Sequence, residues 1–330
     1  MISRAYGCLI GSAIGDAMGM PASFMSPEKI KRIYGRITNF LPPAKEQIAH
    51  GKLSSAEFTD DTEESLIIAA VLIEAGKFDS LLFVEKMKTW AIQKKMLEST
   101  VIGPSTRHFL EAIVKGQDYS ELGHLGDTNG GAMRVAPIGI FYHGHTQKAI
   151  NAAIASAKPS HGSKPGLASS AAIAAAISVA VEGNCSPREV LSAAIRGAEA
   201  GEKEGFDIPA PSIAARIRLA VELVDKNRDK QLDDISYILY QHIGAGMKSY
   251  ESIPLSLGIF YAAKGDFKAG LLETINIGDD ADTNGAIVGA LGGAYSGAEK
   301  INPEWIEKIS QTNSINFLAI ANQLIDRNKE

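Results

Sequence analysis

Apolar residues recur at intervals of three and four through most of the chain, the period of a helix that buries one face. The repeat is clear in "EESLIIAAVLIEAG" (Glu63–Gly76), "LLFVEKMKTWAIQKKM" (Leu81–Met96), "SSAAIAAAISVAVEG" (Ser169–Gly183), "PREVLSAAIRGAEAG" (Pro187–Gly201) and "PEWIEKISQTNSINFLAIANQLI" (Pro303–Ile325). Boundary residues agree. "SPEKI" at Ser26 and "SPREV" at Ser186 each set a hydroxyl cap ahead of proline at the first helical position. Gly76, Gly183 and Gly201 stand where C-terminal stops belong. "AYGCLIGSAIG", after Arg4, reads as a core helix. Asp16 cuts its apolar run short, and no signal cleavage site is recognisable beyond it. Strand signals are thin. "YGRITNFLPP" (Tyr34–Pro43) reads as a short extended piece, and no alternation of strand and helix patterns suggests a doubly wound sheet. The expected fold class is all-α.

Composition adds a packing style. Aromatic residues make up 7% of the 330 and glycine supplies 32 of them, which favours helices packed closely through small side chains. No Pro- or Ser-rich linker divides the chain, so one domain spanning 1–330 is expected. Pro42 to Phe58 is polar and aperiodic, and a connection that long marks a functional or mobile loop. The net charge of −5, with no Lys/Arg cluster, offers no footprint for nucleic acid. The longest uncharged apolar run, Gly166 to Val181, is Ala-rich and falls short of the ~20 residues of a membrane span, so no membrane partner is expected. Cys8 and Cys185 are too few for a disulfide framework or a zinc cage, which fits a reducing cytoplasm.

Two acid clusters stand apart from this plain background. One is "FTDDTEES" (Phe58–Ser65) and the other "GDDADTNGA" (Gly278–Ala286), each ahead of an apolar helix. Capping is one reading: Thr and Asp favour N-caps, acids favour the positive end of the dipole, and Asp60 with Glu63 or Asp61 with Glu64 makes a capping pair. The other reading is a cation. Capping needs one such side chain, whereas crowded carboxylates repel unless positive charge lies among them. The donors are hard oxygens, suited to Mg²⁺, Mn²⁺ or Ca²⁺ rather than zinc. Two further stretches belong beside them. "GDTNGGAMRVAPIGIFYHG" (Gly126–Gly144) can present backbone N–H groups to an anion. In "SHGSKPGLASS" (Ser160–Ser170), His161 lies in a polar turn ahead of an Ala-rich helix.

Taken in order, these stretches resemble the ADP-ribosylglycohydrolase family over most of the chain. "GCLIGSAIGDAMGMP" is similar to the family's opening helix with its G-D-A-x-G-x-P turn. "TDDT" (Thr59–Thr62) is similar to its first metal motif, "NGGAMR" (Asn129–Arg134) to its substrate-loop signature, and "SHGSKP" to its His-containing loop. "GDDADTNGAIVGALGGAYSG" resembles the G-G-D-A-D-T motif and its helix. The resemblance implies a compact all-α orthogonal bundle with two Mg²⁺ ions, or Mn²⁺, at the floor of a cleft. Thr59, Asp60 and Asp61 would ligate from one side, and Asp280, Asp282 and Thr283 from the other. Gly126, Asp127, Thr128 and Asn129 would approach the phosphates or distal part of an ADP-ribosyl or ribosyl substrate, and His161 the ribose. The reaction would be hydrolysis at the anomeric carbon through an oxocarbenium-like transition state, with Asp61 as the candidate base.

Two positions depart from the family pattern. Ser23 stands where the family often has a Glu that neighbours the metals, with Glu28, Glu57, Glu63 or Glu64 as candidate substitutes. Asp279 stands where the family usually has a second Gly. The first departure keeps two other readings open: a hydrolase of nucleosides or small N-ribosides using the same metal site, and a non-catalytic binder of ADP-ribose or a nucleotide.

Overall fold

Glycines at intervals of four decide the centre of the fold. Gly7, Gly11, Gly15 and Gly19 lie along one side of the first helix, Ile2–Gly19. Gly293, Gly289, Gly285 and Ala281 lie at the same interval along the helix Ala281–Ser296. In a computed structural model, which describes residues 1–327, these two rows face each other antiparallel. A Cβ built on Gly7 would come 2.5 Å from the carbonyl oxygen of Gly293, and one on Gly285 would come 2.5 Å from that of Gly15. Rows of residues four apart are the ridges along which helices interdigitate. With no side chain on either row, the two backbones touch.

Around this pair the chain is helical, with no β-strand among the described residues. The Ala-rich helix Lys164–Glu182 is buried on almost every side and packs against the helices Pro187–Glu204 and Thr146–His161. It is long and apolar enough to pass for a membrane span, but its apolar surface is consumed inside the fold. One large apolar core runs from Ala5 to Ile325, with two smaller clusters beside it.

Several boundaries differ from the sequence pattern. Pro303–Ile325 is two helices, Pro303–Asn313 and Phe317–Arg327, broken where Ser314 takes a left-handed φ of 55°. Gly201 does not stop its helix, which continues to Glu204. Instead it lets the backbone of Ala168 approach so closely that a Cβ would sit 2.6 Å from it. Tyr34 ends the helix Pro27–Tyr34, and the residues that follow form irregular backbone rather than a paired strand. His161 is the last residue of a helix and fully buried, not part of an open polar turn.

Candidate active site

The first acid cluster opens the helix Asp60–Ala75, and the second opens Ala281–Ser296. Because the first helix lies antiparallel against Ala281–Ser296, its C-terminal end arrives beside the start of the latter. That carries Asp16 to the acids. Asp16 is fully buried and caps the Asp60 helix from outside its own sequence. Its carboxylate accepts the N–H groups of Thr59 (3.0 Å) and Thr62 (3.2 Å) and the Thr62 hydroxyl (2.6 Å). The Thr59 hydroxyl adds the local cap, accepting the Asp61 N–H at 3.3 Å. The pairings of Asp60 with Glu63 and Asp61 with Glu64 do not form. Glu63 accepts from Trp90 Nε1 and Lys94, and Glu64 from Arg134.

Asp60, Asp61, Asp280, Asp282 and Thr283 line one cleft with Thr128, Asn129 and His161. Three expected site residues do not line it. Thr59 turns its hydroxyl to Asp61 (3.1 Å). Asp127 pairs with Lys248 at 2.7 Å. Gly126 packs under the Ser160 backbone and accepts a hydrogen bond from the Ser163 hydroxyl (2.6 Å). The Asp127–Asn129 segment is pinned to the chain at 247–249. The Asn129 N–H donates to Met247 O and the Ser249 N–H to Asp127 O, while the Ser249 hydroxyl donates to Thr128 O. Asn129 then donates to Asp280 at 2.5 Å and to the Ser252 hydroxyl at 3.0 Å, so it orients an acid rather than standing free for a substrate.

The electrostatics are severe. Five buried carboxylates, Asp16, Asp60, Asp61, Asp280 and Asp282, gather at this end of the helix pair. Burial pushes Asp16 up to about 7, against the pull of its hydrogen bonds to Thr62 and with a further push from Asp282. Burial and then neighbouring negative charge push Asp60, Asp61 and Asp280 well above the ordinary range. Asp282 goes the other way. Burial opposes its ionisation, but His50 Nε2 at 2.9 Å outweighs it. Two acid oxygens, Asp61 Oδ1 and Asp282 Oδ1, are buried without a hydrogen-bond partner, as is His50 Nδ1. Unpartnered buried polar atoms are rare and ask for a ligand, a proton or an ion.

Two residues here escaped sequence reasoning. Asp16 did leave a signal, an acid inside an apolar helix with no Lys or Arg within a turn on either side. His50 left none. It sits in the aperiodic Pro42–Phe58 stretch and stacks on Phe24, with ring centroids 6.3 Å apart, at the cleft wall. That long connection is held down by Gln47, whose amide donates to the carbonyls of Met20, Pro21 and Ser23.

The two departures also receive structural accounts. The Ser23 hydroxyl donates to Gly19 O (3.3 Å) and accepts the Asp282 N–H (3.2 Å), capping the helix that carries the second acid motif. None of Glu28, Glu57, Glu63 and Glu64 lines the cleft. Asp279 has φ 54°, the left-handed region where glycine is at ease and Asp is among the better-tolerated alternatives. It is half-buried, does not line the cleft, and has its carboxylate beside Gly246. Burial raises its pKa and Glu251 adds to the rise.

His161 is fixed from both ring nitrogens, with Nδ1 2.8 Å from the Ser160 hydroxyl and Nε2 3.0 Å from that of Thr128. Burial, helped by the charge of Arg134, holds it well below its usual pKa, so the ring is neutral. Arg134, the last residue of "NGGAMR", lies behind the cleft. It is fully buried, paired with Glu64 at 2.7 Å, bonded to Ser156 O and the Ser160 hydroxyl, and set over the Phe83 ring.

Helices brought together by glycine, with acids converging from two helix starts, define the class. The sequence profile of the ADP-ribosylglycohydrolase family matches residues 1–330, and the chain belongs to that family. It is 34% identical to the uncharacterized protein YegU of Escherichia coli over 97% of this chain and 96% of that one. It is 26% identical to the ADP-ribosyl-[dinitrogen reductase] glycohydrolase of Rhodospirillum rubrum, covering 93% and 90%. A solved ADP-ribosylglycohydrolase-related protein complex superposes with a TM-score of 0.73 over 99% of this chain and 98% of that one, at 23% identity, which speaks to the fold.

Proposed function

We propose that the protein is a divalent-cation-dependent hydrolase that cleaves the ribosyl glycosidic bond of an ADP-ribosylated side chain or a related ADP-ribosyl compound. The observation that carries this is the pair of orphaned acid oxygens, Asp61 Oδ1 and Asp282 Oδ1, within a buried group of five carboxylates. Among the described residues, no three acidic, His or Cys side chains already converge as a finished metal cage. The fit rests on donor chemistry: every proposed ligand offers a hard oxygen, negative charge is concentrated, and two of the acid oxygens have no protein partner. Asp60 and Asp61 would hold Mg²⁺ or Mn²⁺ from one side and Asp280, Asp282 and Thr283 from the other, two ions being the proposed number; Thr59 would join them by turning its hydroxyl from Asp61. When bound, the ions would supply positive charge to the ribose hydroxyls and to an attacking water.

The chain's own residues supply the rest. Asn129 fixes the rotamer of Asp280, and Asp16 fixes the turn that presents Asp60 and Asp61. Asp61 keeps one oxygen free of the protein and is the residue assigned to take a proton from water. The neutral His161–Thr128 pair forms a polar wall suited to a hydroxyl rather than an anion. A reducing cytoplasmic setting is part of the proposal, motivated by two unpaired cysteines.

Ser23 and the absence of a substituting Glu in the cleft favour a second reading on the same site, hydrolysis of a nucleoside or small N-riboside. One set of assays separates the readings. Peptides carrying ADP-ribosylated arginine or serine, and a panel of nucleosides, are incubated with Mg²⁺, with Mn²⁺ and with EDTA. Metal-dependent release of ADP-ribose supports the first reading, and release of free base the second. Turnover unaffected by EDTA, or none on either class, overturns both.

A further inference from the structure

A second groove lies at the far end of the same central helix. Tyr295 contributes to it from the last turn of Ala281–Ser296, whereas Asp282 sits in the first turn. Thirteen residues at 1.5 Å rise separate them, about 20 Å. The two cavities share no lining residue. The groove holds about 640 Å³, within the range of small-molecule sites.

Its chemistry is the reverse of the cleft's. Arg188, Arg228, Lys230 and Lys264 line it and no acidic side chain does, in a chain whose net charge is −5. Behind the two arginines, Asp225 holds both guanidinium groups at 2.7 Å and accepts the Tyr261 hydroxyl at 2.9 Å. The Tyr261 oxygen also accepts from Arg188 (2.7 Å) and Arg228 (3.0 Å). The carboxylate thereby sets two guanidinium forks side by side. The four lining cations outnumber the carboxylates beside them, Asp225 behind the arginines and Glu189 behind Ser186. The Arg188 guanidinium also lies 5.5 Å from the Tyr261 ring centroid. Leu232 and Ile235 line the groove beside these charges and give it an apolar floor. Arg228 spends its Nε edge on Asp225. The remaining guanidinium N–H groups, two ammonium groups and the Leu232 and Ile235 floor beside the Tyr261 and Tyr295 rings suit a diphosphate attached to a flat ring system.

We propose that this groove is a non-catalytic site for a nucleoside diphosphate, separate from the acid cleft. The inference stands on the groove's own residues and does not depend on the activity proposed above.

The test is calorimetry on the full chain in EDTA at low salt, with ADP, pyrophosphate, adenosine and a short poly-glutamate peptide as probes. Three proteins are compared: the native chain, Lys230→Glu/Lys264→Glu, and the cleft variant Asp61→Asn/Asp282→Asn. Both lysines are exposed, and thermal melting checks that each variant is folded. ADP should bind the native chain more tightly than pyrophosphate or adenosine does. That affinity should survive in the cleft variant within about twofold and fall by about tenfold or more in the lysine variant, since each reversal turns an attraction into a repulsion. ADP binding lost with the cleft variant but kept in the lysine variant overturns the proposal. So does a tighter response to the acidic peptide than to ADP, or no ADP binding at about 1 mM.

Discussion

The contact between Ile2–Gly19 and Ala281–Ser296 is tested most directly by Gly285→Ala. The new Cβ would lie 2.5 Å from the carbonyl oxygen of Gly15 and 3.0 Å from its carbon, where ordinary contact begins at 3.4 Å. The obstacle is backbone, so no rotamer change relieves it, and the helices must separate by roughly 0.9 Å at this level, the shortfall from ordinary contact. Overpacking of this kind costs ~1–3 kcal/mol, and a backbone-against-backbone clash belongs at the upper end. Alanine returns ~1 kcal/mol of helix propensity, which would mask part of the loss. Gly270→Ala provides the control. It lies within the helix Phe267–Ile277, is buried, and its Cβ would meet only the Val288 and Ala263 side chains at 3.3 and 3.4 Å. The propensity gain is common to both, so the two variants should differ by about 3 kcal/mol. At ~2.1 cal/mol/K per residue, that is about 4 °C in melting temperature for a chain of this length. The same separation moves Asp16, next to Gly15, away from Asp282, three residues before Gly285. Misplacement near 1 Å at a catalytic constellation can cost ~100-fold in rate. Thermal melting and turnover on the same preparations check both effects. If Gly285→Ala melts within 1 °C of the control and keeps its turnover, the backbones of Ile2–Gly19 and Ala281–Ser296 do not touch at Gly15 and Gly285.

Further outcomes follow from the buried charges. In chelator, Asp16 binds its proton more tightly in the folded chain, at about 7 against an ordinary 3.8, so its contribution is full below about 3.8 and is lost as pH rises through about 7. That displacement is worth ~4 kcal/mol, and Asp60, Asp61 and Asp280 act in the same direction. The melting temperature without metal should therefore fall from pH 5 to pH 8, and excess Mg²⁺ or Mn²⁺ should reduce the fall; a flat profile in chelator would falsify this account. Asp280→Asn keeps an acceptor for Asn129 but removes a repelling charge. It should stabilise the chelated protein by about 0.5–2 kcal/mol while abolishing both the divalent-ion gain in melting temperature and any metal-dependent turnover. Arg134→Met leaves Glu64 buried without its partner and should cost about 3–5 kcal/mol in denaturant titrations. Adding Glu64→Gln should recover part of that loss, and no recovery would mean that Arg134 acts through Phe83 and the Ser156 carbonyl instead.

Helix period and cap residues in the sequence place most of the helices, because an amphipathic repeat and a Ser-Pro start are local properties of the chain. The two acid motifs at helix starts are legible for the same reason. Thr59 does cap, and Asp280 does precede the helix it introduces. Errors arise where tertiary contact overrides a local sign. Gly201 looks like a stop and is a contact surface, because a neighbouring backbone needs its missing side chain. Pro303–Ile325 looks continuous and is broken at Ser314, a residue with no helix-breaking signature.

The sequence by itself determined which residues carry unusual charge and which stretches are helices. That these charges share a cleft is implied in the sequence only through the motif resemblance; the tertiary structure decided how they are brought together. Asp61 and Asp282 are 221 positions apart, and nothing local records the antiparallel register that unites their helix starts. That register is written in two glycine rows of matching period, which mean nothing until they face each other. Asp16 and His50 enter the site by the same logic. One is carried in on the glycine helix and the other on a connection with no pattern of its own, so their chemistry comes from what folding places beside them.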